Sequence, residues 1–100
     1  MNDEQQVSDA IVFWIGHGDA VTPIRNDDRV REEYGADVGE RLLLEIHQLE
    51  EDFYQSDAHV VAPDLQSMMD SAKADFRILH PHIPRAAVDA LGWAYAFDYK

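Results

Sequence analysis

The strongest periodic pattern in the chain runs from Asp37 to Gln55, DVGERLLLEIHQLEEDFYQ. At ~100° per residue, Val38, Leu42, Ile46, Leu49 and Phe53 fall within about 80° of one another, and Leu43 and Tyr54 widen the stripe. That spacing predicts a core-facing helix. Asp37, with Glu40 three positions on, reads as a carboxylate capping box at its start, and Ser56-Asp57 marks its end. Two residues break the pattern. Leu44 points almost opposite Ile46, among Glu40, Gln48 and Glu51, and is predicted to be exposed or to lie under a neighbouring helix. Glu50 falls inside the apolar arc, between Ile46 and Leu43. Near a helix end a glutamate reaches water by extending its stem; the alternative is a buried, functional carboxylate.

A second strongly periodic helix is predicted after Asp64, which can cap it. Leu65, Met68, Met69, Ala72, Phe76 and Leu79 share one face, and His80-Pro81 ends the run because proline disfavours helical geometry at the residue before it. Residues 5–16, QQVSDAIVFWIG, place Val7, Ala10, Ile11, Trp14 and Ile15 at helical spacing, which predicts a first helix ending at Gly16 or Gly18. The segment AIVFWI also reads as a buried strand. Residues 19–26, DAVTPIRN, form an irregular connector whose Asn26 can cap a short helix over DDRVREEY, stopped by Gly35. DAHVVAP, residues 57–63, is a connector or one short strand. HPHIP punctuates the chain at 80–84, with Pro84 opening the last helix at its first turn. In the tail WAYAFDYK, Trp93, Tyr95, Phe97 and Tyr99 alternate as in a strand, whereas the alanines permit a helix that is apolar nearly all round. A buried C-terminal helix accounts for both.

The expected architecture is all-α: a single domain over residues 1–100, a small bundle of about four or five helices. The central helix and the helix after Asp64 pack antiparallel, and the aromatic tail fills the middle. The alternative is α+β, with strands near 10–16, 59–62 and 93–99.

Composition narrows what such a domain does. The chain has 100 residues, 46% of them apolar, enough for one core and too few for two. It has no cysteine, so disulfides, thiolate nucleophiles and cysteine-ligated metals are excluded. An acidic N-terminus, Met-Asn-Asp-Glu, and an apolar run too short for a signal core point to a cytoplasmic protein, including the cytoplasm of a host cell if a phage encodes it.

The net charge is −12, and it is unevenly spread. Between Asn26 and Asp64 there are twelve acids against Arg29, Arg31 and Arg41, whereas residues 65–100 balance four acids with four bases. Such a field repels nucleic acid and anionic lipid and attracts basic partners. A helical row of Glu33, Glu40, Glu45, Glu51 and Asp52 can imitate phosphate spacing and occupy the groove of a nucleic-acid-handling protein. A basic toxin would be blocked by the same kind of surface, steered in by charge and then packed against an aromatic such as Tyr34 or Tyr54, or against Leu44. In being short, acidic, cysteine-free and helical, the chain is similar to bacterial immunity proteins and phage-encoded inhibitors. That likeness rests on no motif and transfers no residues.

Catalytic signals are sparse. Of five histidines, His47 stands four residues before Glu51, a spacing that can hold a metal, and His80 and His82 could add ligands. The chain nevertheless lacks a His-Glu-x-x-His or paired Glu-x-x-His motif. Its serines lack a nucleophile-elbow context. The leading expectation is therefore a non-enzymatic, cofactor-free inhibitor of a basic partner. Two alternatives stand beside it: a small metal-dependent or acid–base domain using His47, Glu50, His80 and His82, and a homodimer joined through Leu44 and the aromatic tail.

Overall fold

The computed structural model describes residues 3–100; Met1 and Asn2 of the acidic N-terminus lie outside them. The chain forms α1 (Asp3–Ile15), α2 (Asp27–Tyr34), α3 (Ala36–Phe53), α4 (Ala58–Val61), α5 (Leu65–Leu79) and α6 (Arg85–Tyr99). The described residues include no strand: AIVFWI and WAYAFDY are helical, and of HVVA the first three residues belong to α4, a single turn, while Ala62 is its extended cap. The molecule is a small all-α bundle. No described helix is long and apolar enough to cross a membrane.

Several predicted boundaries hold for the predicted reasons. The Asn26 side chain accepts hydrogen bonds from the Asp28 and Arg29 amides and starts α2. Asp64 does the same for α5, accepting from the Ser67 amide at 2.7 Å. Others shift. The α3 helix begins two residues earlier than expected, at Ala36, and its cap is Gly35 in place of Asp37, with no side chain to offer. The expected capping box therefore does not form: Asp37 sits in the first turn, and Glu40 pairs instead with Arg31 of α2. Gly35, at φ +85°, both ends α2 and starts α3, so the corner between them leaves no position for a capping side chain. Pro84 lies at the cap position of α6, one residue before its first turn.

The α3 stripe is buried as predicted at Leu42, Leu43, Ile46, Leu49 and Phe53, while Leu44 is 75% exposed. On α5 only the middle of the stripe is inside. Met68, Ala72 and Phe76 are buried, but Leu65 and Leu79, at opposite ends of the helix, are exposed because it runs past the core at both ends. The expected α3–α5 pair exists, with Phe53 and Phe76 rings 5.1 Å apart. It is secondary, however: α3 packs chiefly along α2, and α5 along α6.

Small residues decide these pairings. A Cβ on Gly39 would lie 2.9 Å from the Arg31 Cα, so α2 and α3 meet backbone to backbone at that glycine. The α6 helix carries the alanine face Ala87, Ala90 and Ala94, with Ala96 on the opposite side, and is buried nearly all round, against α1 and α5. Its Tyr95 is the polar anchor of the core. The hydroxyl donates to the Ser56 carbonyl at 2.8 Å and accepts from the His59 amide at 3.0 Å, tying α4 to α6.

Candidate functional site

The site begins with the connector that sequence pattern could describe only as irregular. Residues leaving α1 turn at Gly16 and run back along the end of that helix. The Ile24 amide donates to the Ile15 carbonyl at 2.9 Å, and the Asn26 amide to the Trp14 carbonyl at 3.1 Å. Arg25 lies between these two bonds and adopts φ +53°, the left-handed region that non-glycine residues rarely occupy. A conformation of this kind persists when its surroundings over-determine it. Here they do so on the side-chain side as well.

The Arg25 guanidinium donates through Nε to Glu50 of α3, and through Nη2 to the Tyr54 hydroxyl and to Asp98 of α6, both at 2.7 Å. Tyr54 in turn donates to the same Asp98 oxygen at 2.6 Å. Glu50 lies in the apolar arc because a cation from another element meets it there. Burial would disfavour charge on Arg25, but its hydrogen bond to Glu50 and the surrounding anions outweigh it and hold the guanidinium firmly protonated. Burial, reinforced by the bond to Asp98, pushes the Tyr54 phenol well above its ordinary range.

Around this cluster lies an open groove of 580 Å³, lined also by His47, Glu51 and Asp98. His47 is not free to act in it. Its Nε2 is 3.1 Å from Asp27 Oδ1, which also accepts from the Trp14 indole at 2.7 Å. Burial alone would raise the Asp27 carboxyl; the bonds from His47 and Trp14 prevail and hold it below its ordinary value. The groups in this groove are thus bound chiefly to one another, an arrangement suited to charge pairing.

The residues singled out in sequence separate into two sets. Glu33, Glu40, Leu44, Glu45 and Glu51 are exposed on α2 and α3, two helices that lie against each other. Of these, Glu40 is neutralised by Arg31, whereas Glu33, Glu45 and Glu51 have no ion-pair partner among the described residues. Leu44 sits among Glu40, Gln48 and Glu51 on the outward arc of α3. The second set faces inward. Tyr54 is committed to Arg25 and Asp98 and packs on Phe53, Tyr95 and Tyr99. Asp52 is only 19% accessible and bonds to His80 Nε2 at 2.7 Å. Tyr34 is half-buried against the core, and burial raises its phenol, with Asp9 and Glu33 adding to the effect.

The candidate ligands His47, Glu51, His80 and His82 do not converge. Glu51 and Asp52 differ by ~100° around α3, so His47 and His80 lie on different sides of the helix. The described residues contain no group of three or more His, Asp or Glu placed to hold a metal ion. Arg25 and Asp98 are the residues sequence reasoning missed. One signal could have found the first of them: a glutamate inside an apolar arc calls for a cation from elsewhere. Asp98, distant in sequence, offered none. No family model matches the chain, and no curated protein or solved structure does.

Proposed function

We propose that this chain is a non-enzymatic, acidic interaction protein that binds and neutralises or regulates a basic protein in the cytoplasm, either a toxin or a nucleic-acid-handling protein. The observation that carries this reading is that Glu33, Glu45 and Glu51 stand exposed on two adjoining helices with no ion-pair partner among the described residues, while other acids of the same segment are paired internally. Carboxylates left unpaired in this way repel one another and lower the stability of the free protein. A basic partner relieves that repulsion on docking. Charge of this kind raises the association rate and sets the choice of partner more than it sets affinity. The exposed Leu44 in their midst adds apolar contact.

The test is capture from the native host with wild-type protein and with a Glu33→Lys, Glu45→Lys, Glu51→Lys variant. Asp52 is left unchanged because its bond to His80 belongs to the fold. The expected result is a basic protein recovered by the wild type, released by salt and lost with the variant. Equal recovery of every partner by both proteins would dispose of the proposal.

A further inference from the structure

Ile78 and Leu79, at the end of α5, are 80% and 55% exposed. They line a groove of 290 Å³ whose remaining walls include Asp52, Ser56, Asp57 and Asp75. The walls are held in place. Ser56 Oγ donates to Asp75 at 2.7 Å and accepts from the Ala58 amide at 3.3 Å, and Asp52 is fixed by His80. An exposed apolar pair therefore lies beside the exposed carboxylates of Asp57 and Asp75, with a third carboxylate, Asp52, held by His80.

We infer that this groove receives a basic amphipathic segment of the partner, with one apolar side chain on Ile78 and Leu79 and lysines or arginines against the exposed Asp57 and Asp75. The inference rests on the reading of the chain as a binder of basic protein and adds an apolar anchor for that partner. Exposed ion pairs alone contribute little affinity. Tight contacts need an apolar centre inside a polar rim, and this groove supplies both. The charge pattern also selects the occupant. A second copy docking here in a two-fold contact would set Asp57 and Asp75 against themselves, a like-charge arrangement that opposes association.

The test titrates isotope-labelled full-length protein with a lysine–leucine peptide of about four helical turns whose leucines share one face. A scrambled peptide of the same composition serves as the control. The segregated peptide is expected to move the amide signals of residues 52–57 and 75–80 and to bind at least about tenfold more tightly than its scrambled control. An Ile78→Ser, Leu79→Ser variant, altered only at exposed positions, should keep the helical circular dichroism and lose that advantage. Equal affinity for the two peptides, or an advantage that survives in the variant, overturns the inference. So do signals that move with protein concentration alone, which would mean that a second copy is the occupant. If both peptides bind equally and map to α2 and α3, with binding lost on changing Glu45 and Glu51 to Lys, the groove assignment fails and the acidic-surface reading stands. If host capture shows no charge-dependent partner while the segregated peptide docks here, the reverse holds.

Discussion

Arg25 joins the connector, α3 and α6 through one guanidinium, so truncating it tests whether that junction is structural. Arg25→Ala removes bonds to Glu50, Asp98 and Tyr54 and leaves two carboxylates and a phenol near one another. The side chains of Arg25, Glu50 and Asp98 are 29%, 24% and 34% accessible, so water screens part of the loss. Breaking a fully buried pair costs about 3–5 kcal/mol and an exposed one about 0.2–1 kcal/mol; partial burial places this change near 2 kcal/mol. The left-handed backbone adds a second effect of opposite sign. Alanine keeps the strain at φ +53°, whereas glycine relieves about 1 kcal/mol of it. Arg25→Gly should therefore lie about midway between wild type and Arg25→Ala. Urea unfolding followed by far-ultraviolet circular dichroism measures all three, and Arg25→Ala should melt roughly 10 °C lower. Combined with Glu50→Gln in a double-mutant cycle, Arg25→Ala should show a coupling of about 1 kcal/mol that shrinks at high salt. An alanine variant as stable as wild type, or a glycine variant less stable than the alanine one, would refute the reasoning.

Three further outcomes follow from single contacts. Gly39→Ala should destabilise by about 1–3 kcal/mol although alanine is the better helix former, because the new methyl meets the Arg31 backbone and forces α2 from α3; denaturant midpoints check this. Ser8→Ala should raise stability by about 1 kcal/mol, since the Ser8 hydroxyl is buried without a hydrogen-bond partner among the described residues, and a loss of stability would show that a partner exists. Asp27→Asn should cost about 1 kcal/mol at neutral pH, discounted for solvent access. The folded carboxyl of Asp27 lies below its ordinary value of 3.8, so its contribution is complete above that pH and disappears as pH falls through the folded value. The gap between wild type and Asp27→Asn should accordingly close in acid, as read from unfolding at a series of pH values.

How much was legible beforehand depended on range. The α3 stripe, the Asn26 and Asp64 caps and the stop at His80-Pro81 are set within a few residues, and pattern reading located them. The tail was ambiguous because Trp93, Tyr95, Phe97 and Tyr99 alternate locally. Burial of Ala87, Ala90 and Ala94 against two neighbours decides for the helix, and that is a property of the assembled bundle. Leu79 misled the reading because periodicity says which face of a helix is apolar and not where the core ends. Asp37 misled it because one glycine serves as both corner and cap.

By itself the sequence determined that this is a cysteine-free, acidic chain with two strongly periodic helices and a charge surplus between Asn26 and Asp64, since composition and period need no coordinates. Only the tertiary structure decided which acids are spent internally. Glu50, Asp27 and Asp52 each meet a cation or imidazole more than a dozen residues away in the chain, while Glu33, Glu45 and Glu51 meet none among the described residues. The physical reason is that a helix repeats every ~3.6 residues and so advertises its own faces. Pairing a charge with a partner on another helix depends on how close the backbones approach, and here Gly39 and the strained turn at Arg25 set those distances.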